Sequence, residues 1–352
     1  MKMPLKTFAL LLTISGNLRA DAPEKFLFSG SNGQQNRQIF VVSDEGTGQQ
    51  QLTNFPNGAT CPQWSPNRHE FACLAGKGIA ILDDRGTIKT EFGRKGEAIQ
   101  HFCWVERGHS IIYVARNKSP FYSEVVLRNL SNGDERILRK ESFVSDLSVS
   151  PNNKYLAFVL DDSEENEQVE IFDFQSQKQI FHTNSRTPAS QMMKDGAGNL
   201  LDTVISELQW SPDSGTLAYA VMDQNHHMKI IHILNAQVID LGELGDQYVA
   251  WSPDGNLMAM SNAEDPGIFV IESNSSSRRR ITPVGFYASD QIYSNDSKFI
   301  AYLSTGPEKS IGEGTAIYEA KADGTEAKRI SSYMIEGDAE QFSWSKAIAR
   351  TK

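Results

Sequence analysis

Short apolar runs alternate with polar turns along most of the chain. In "LQWSPDSGTLAYAV", residues 208–221, Trp210 closes one run, Ser211, Pro212, Asp213 and Ser214 make a turn, and Leu217, Ala218 and Tyr219 open the next. Apolar runs of this length bounded by turn-forming residues specify a β-hairpin. The phrase returns forty residues on as "VAWSPDGNLMAMS", and a search for a fixed period finds it seven times. Its key position falls at Trp64, Trp104, Val149, Trp210, Trp251, Tyr293 and Trp344, which takes in all five tryptophans of the chain.

Between successive copies lie two further strand signals. One is an apolar run such as "QIFVV", "GIAIL" or "KIIHIL", and the other a weaker, more polar run such as "QQQLT". Turns such as "DEGTG", "DDRGT" and "ADGTE" separate them with residues that tolerate positive φ. Each repeat is therefore four strands, the content of one propeller blade, and a lone blade cannot bury its apolar faces. The pattern predicts an all-β fold: a seven-bladed β-propeller of four-stranded antiparallel blades. "KFLFSG" opens it on a second-type strand, and "QFSWSK" ends it on a first-type strand. The C-terminal strand is thus expected to complete the N-terminal blade, removing both exposed edges. A six-bladed ring would require "FCWVERGHSIIYV" or "QIYSNDSKFIAYLS" to be a false copy, and both keep the alternation of polar turn and apolar strand.

Residues 1–20 break the pattern. Lys2 and Lys6 precede the apolar run "FALLLTISG", and small residues follow as far as Ala20 and Ala22. This is the layout of a secretory signal peptide, so the expected division is a signal peptide over 1–20 and a single propeller domain over 21–352. No later run has the length of a membrane span. A periplasmic or secreted, monomeric protein is expected. The formal net charge of −10 opposes binding to a phosphate backbone, which excludes nucleic acid as the expected partner. The one basic cluster, Arg278, Arg279 and Arg280, reads as a solvated turn. Three cysteines are too few for a disulfide framework. Cys61 and Cys73 flank one hairpin almost symmetrically, either as a bonded pair or as two small buried apolar residues.

The pattern "WSPDGxxxAxxS" followed by "IxVxxxDGxxxxLT" resembles the TolB-type or PD40 family of WD40-like propellers of bacterial exported proteins. Trp251 to Ser261, Trp210 to Ala220 and residues 38–67 carry the resemblance most clearly. It implies the propeller fold and a capacity to bind another envelope protein. The first blade strand follows the expected cleavage point within a few residues, leaving no room there for the small α/β domain that precedes the propeller in TolB.

A search for chemistry finds no Gly-x-Ser-x-Gly elbow, no His-Glu-x-x-His and no Cys-x-x-Cys. His226 and His227 are adjacent, and neighbours in extended chain point to opposite sides, so they read as polar loop residues. The acidic run with Asp161, Asp162, Glu164, Glu165 and Glu167 offers oxygen ligands to a divalent cation such as calcium, without the spaced rhythm and central Gly of a calcium loop; no cofactor is expected. Long insertions concentrate in connections that leave one face of the disk, including the stretch from Asn184 to Val204. The expected function is a scaffold that binds an envelope or secreted protein on that face. Phe121 and Tyr122 are the expected aromatic anchors, with Met192, Met193, Leu200 and Leu201 as adaptable apolar contacts. The alternative is a polysaccharide lyase or hydrolase with a metal in the central pore.

Overall fold

The computed structural model describes residues 24–31, 36–118, 121–161, 167–183, 205–221, 227–243, 249–261, 265–272, 278–306, 315–332 and 342–345. Among these, seven four-stranded antiparallel sheets form the blades. Blade 1 contains β1 (Lys25–Gly30), β2 (Gln38–Ser43) and β3 (Gln50–Gln51). Blade 2 is β4 (Ala59–Trp64), β5 (Glu70–Ala75), β6 (Gly78–Asp83) and β7 (Ile88–Phe92); blade 3 is β8 (Glu97–Val105), β9 (Ser110–Lys118), β10 (Phe121–Asn129) and β11 (Glu135–Glu141). Blade 4 is β12 (Phe143–Val149), β13 (Tyr155–Asp161), β14 (Glu167–Asp173) and β15 (Lys178–His182); blade 5 is β16 (Ile205–Trp210), β17 (Thr216–Val221), β18 (His227–His232) and β19 (Gln237–Glu243). Blade 6 is β20 (Val249–Trp251), β21 (Leu257–Ser261), β22 (Ile268–Glu272) and β23 (Arg278–Arg280); blade 7 is β24 (Ala288–Tyr293), β25 (Phe299–Ser304), β26 (Ala316–Lys321) and β27 (Lys328–Arg329). The last strand, β28 (Phe342–Trp344), then returns to blade 1 and pairs with β1 in the register Phe26↔Trp344.

The apolar runs are second strands with both faces covered, and their alternation divides the side chains between two neighbours. On β13, Leu156, Phe158 and Leu160 pack towards blade 3, while Ala157 and Val159 pack towards blade 5. Seven apolar clusters result among the described residues, one at each blade junction. Each large side chain buried this way contributes roughly 1.5–3 kcal/mol. Ring closure uses the same currency: Trp344 is fully buried and stacks on Phe26 with ring centroids 4.9 Å apart. Ser345 Oγ accepts the Lys25 amide at 2.8 Å and donates to Glu24 Oε2 at 2.6 Å.

The repeated phrase is explained by what its residues bond. In three of the five tryptophans the indole N–H donates to the preceding blade's innermost strand: Trp104 to the Gln63 carbonyl, Trp210 to that of Ser148 and Trp251 to that of Gln209, at 3.2, 3.3 and 3.2 Å. The following serine is buried and ties its turn together. In blade 6, Ser252 Oγ donates to Asp254 Oδ1 at 2.6 Å and accepts the Leu257 amide at 2.9 Å. Ser150, Ser211 and Ser294 make the same pair of bonds. Two residues beyond the Pro position the chain takes positive φ, at Gly255 and also at Arg68, Asn153, Ser214 and Ser297, which is why glycine suits that position.

Two local expectations change. Arg278–Arg280 is not a solvated turn: it opens "RRRIT", which as a weaker, polar run reads as a fourth strand, and it forms the outermost strand of blade 6, with Arg279 donating to the carbonyls of Ala322 and Asp323 in blade 7. Cys61 and Cys73 are not joined by a disulfide. A bulge in β4 between Thr60 and Gln63 puts Cys61 at a φ of 56°, so it packs towards blade 3 while Cys73 packs towards blade 1.

Candidate binding face

Within each blade, the first-to-second and third-to-fourth connections leave from one face of the disk, and the others leave from the opposite face. No connection on the first face exceeds six residues, whereas residues 183–204 join β15 to β16 on the second. In blades 4 to 7 the first-to-second turns on this face are closed by the serine bonds described above. The second face is where the chain carries its variable content.

Phe121 begins β10 on that second face and is 58% exposed. Pairing with Lys118 across the β9–β10 hairpin sets its position. Its ring stacks on Phe143, the first residue of β12 in the next blade, with centroids 6.0 Å apart and planes 7° from parallel. The Arg116 guanidinium lies over the Phe143 ring, 3.7 Å from its centroid, and 5.9 Å from that of Phe121, so the ring pair carries a cation on the face of Phe143. Beneath them, fully buried Ser123 accepts the Val144 amide at 3.2 Å and fixes blade 3 against blade 4. Tyr122 is half-buried: its hydroxyl accepts Asn117 Nδ2 at 3.0 Å, and Lys140 Nζ sits 3.7 Å from its ring centroid.

The innermost strands β4, β8, β12, β16 and β24 all carry a bulge a few residues before the key position. His101 lies in the β8 bulge, where burial holds its imidazole below the usual value, the Asp146 charge opposing and Arg116 reinforcing the shift. At Cys103 burial, helped by Asp146, pushes the thiol up to about 12, so it is no nucleophile at neutral pH. Asp146 itself accepts the amides of Leu147 and Leu208, at 2.6 and 3.1 Å, clasping blades 4 and 5. Among the described residues, no group of three or more His, Cys, Asp and Glu side chains is placed to hold a metal ion. Within the acidic run, Glu167 is buried and accepts the Ile205 amide. His227 bonds Asp240 from strand β18 rather than a loop, and helps hold that carboxylate below its usual value against the opposing effect of burial.

The structure thus puts Phe121 and Tyr122 at the same end of β10, each next to a cation, with Phe121 turned towards blade 4 and Tyr122 to the other side of blade 3. Met192, Met193, Leu200 and Leu201 lie outside the described residues, as do residues 1–20, 162–166 and His226. Reading the sequence missed Phe143, Arg116 and Lys140, which come from other strands and are joined to Phe121 and Tyr122 only by the blade packing. It also missed Val284 and Tyr287, 88% and 41% exposed in the β23–β24 connection on the same face.

No family model matches the chain, and no curated protein matches it in sequence. Solved structures do. An oligogalacturonate lyase from Vibrio parahaemolyticus superposes with a TM-score of 0.61 at 11% identity, over 84% of this chain and 85% of the lyase. Hydrazine synthase from Kuenenia stuttgartiensis gives 0.57 at 12% identity, over 80% and 88% of the two chains. TolB from Acinetobacter baumannii gives 0.53 at 13% identity, over 92% of this chain. The shared property is the β-propeller fold. The chain spans 66% of the length of that TolB, just under two-thirds. Among the described residues no helix is long and apolar enough to cross a membrane.

Proposed function

We propose that this chain is a non-enzymatic, TolB-like propeller that binds a protein partner of the cell envelope on its second face, in the periplasm or outside the cell. The observation that carries the reading is the exposed Phe121 ring stacked on Phe143, with Arg116 lying over the Phe143 ring. An exposed aromatic held in place by a second ring and accompanied by arginine has the composition of an interface anchor. Signal-like residues 1–20 support export, and the likeness to TolB supports the propeller fold on which such a binding face is built.

The test is chemical crosslinking of the purified protein in envelope extract, comparing the parent with a Phe121→Ala/Tyr122→Ala variant. Both side chains lie at the hairpin tip, so the melting temperature should hold within a few degrees while at least one crosslinked partner is lost. Identical crosslinks from parent and variant would show that the binding surface lies elsewhere. The enzymatic alternative, a polysaccharide lyase or hydrolase, draws support from the fold it shares with the oligogalacturonate lyase. It requires a metal in the central pore, and stoichiometric transition metal in the purified protein would favour it over the scaffold.

A further inference from the structure

Two glycine turns with basic residues face each other where blade 2 meets blade 3. "AGKG", residues 75–78, joins β5 to β6, and "GRKG", residues 93–96, joins β7 to β8. Both leave the second face of the disk. Between them lies an open cleft of about 410 Å³ whose lining includes Lys77, Gly78, Glu91, Gly93, Arg94 and Lys95. The glycines are required for it to exist. A Cβ on Gly78 would stand 2.3 Å from the Phe92 carbonyl oxygen, and Gly78 and Gly93 pass with a Cβ-to-Cα clearance of only 3.3 Å. Gly76 and Gly96 take positive φ, 62° and 84°, with no other atom within 4 Å of where a Cβ would be, so the turn backbone is open on that side.

The charges on this cleft divide into a fixed part and a free part. Arg94 is held from behind: its Nη1 donates to Glu124 at 2.6 Å and lies 3.1 Å from Glu97, and both carboxylates are buried. Those bonds anchor the second turn. Lys77 and Lys95 are exposed and pair with no group among the described residues, and the amides of Gly76, Lys77 and Lys95 donate to no backbone carbonyl there. In a chain of net charge −10, two unpaired lysines and several open amides at one cleft form a local site for negative charge. Glu91 lies exposed on the same wall and repels a ligand charged all round, while accepting hydrogen bonds from hydroxyl groups.

We propose that this cleft binds a small hydroxylated organic anion, of the class of a sugar acid or sugar phosphate. Lys77 and Lys95 hold the oxyanion and Glu91 receives the hydroxyls. The volume suits a ligand of monosaccharide size. The site is separate from the Phe121 surface, and its occupancy does not depend on the partner proposed for that surface.

Titration calorimetry of the purified full chain at low ionic strength tests this with glucuronate, glucose 6-phosphate, glucose and inorganic phosphate. One or both sugar anions should bind, the two distinguishing a carboxylate from a phosphate ligand. Glucose should fail, and inorganic phosphate should bind at least tenfold more weakly than the better sugar anion. Lys77→Ala/Lys95→Ala should cost that anion at least tenfold in affinity with an unchanged melting temperature, and Glu91→Gln should reduce its advantage over inorganic phosphate. No binding of either sugar anion at millimolar concentration, equal binding of glucose or inorganic phosphate, or full affinity in the double lysine variant would each overturn the proposal.

Discussion

The most informative single residues are the serines of the repeated phrase. Ser252 is fully buried, and its hydroxyl is both donor and acceptor within one turn, so removing it leaves the Leu257 amide without that partner. Ser252→Ala should cost about 1–2 kcal/mol in urea unfolding, with no change in the slope of the transition. The aspartates these serines hold carry a pH signature. The Ser211 hydroxyl and Gly215 amide lower Asp213 below its usual value of 3.8, and the Ser252 hydroxyl and Asn256 amide do the same for Asp254. A carboxyl whose folded pKa lies below its unfolded one stabilises the fold above about pH 4 and loses that contribution as the pH falls through the lower value. The melting temperature should therefore decline below about pH 4. An Asp213→Asn/Asp254→Asn variant should start lower and decline less steeply over the same range.

At the scale of elements, the hairpin phrase carried the blades in plain view, because the second strand must be apolar on both sides and the turn must bond itself. Trp64, Trp104, Trp210, Trp251 and Trp344 therefore marked five of the seven innermost strands with a residue type used nowhere else in the chain. The binding surface was legible only in part. Phe121 and Tyr122 stood out as aromatics in a connection, but Phe143 is 22 residues further on and reads as an ordinary strand start. Arg116 and Lys140 acquire meaning only through the registers of β9 and β11 against β10. The β4 bulge, similarly, has no sequence mark, so the divergence of Cys61 from Cys73 had to be seen. The connection from β15 to β16 belongs to the same reading of the second face. Replacing residues 186–202 by a short Gly/Ser link should leave the melting transition nearly unchanged and weaken the crosslinks that Phe121→Ala/Tyr122→Ala removes. Unfolding of the shortened protein would make that segment a structural cover instead.

The ring as a whole is held at seven junctions of similar make-up, and one of them depends on strand β28. Deleting residues 338–352 takes Trp344 from a cluster that includes Phe26, Phe28, Leu303 and Ile317 and leaves β1 as an open edge. The truncated chain should aggregate or melt without a sharp transition in calorimetry. A truncated chain that melts as late and as sharply as the parent would refute closure by β28. The same clasp imposes an order in time. Most blades pair strands that follow one another directly along the chain, whereas β28 meets β1 across more than 300 residues. Searching for so distant a partner is slow, and little is gained until the other blades have brought the two ends together. The clasp should accordingly be absent from the transition state for folding. Trp344→Phe should leave the refolding rate almost untouched and show its whole effect as faster unfolding, making this strand the latch that sets how long the closed ring survives.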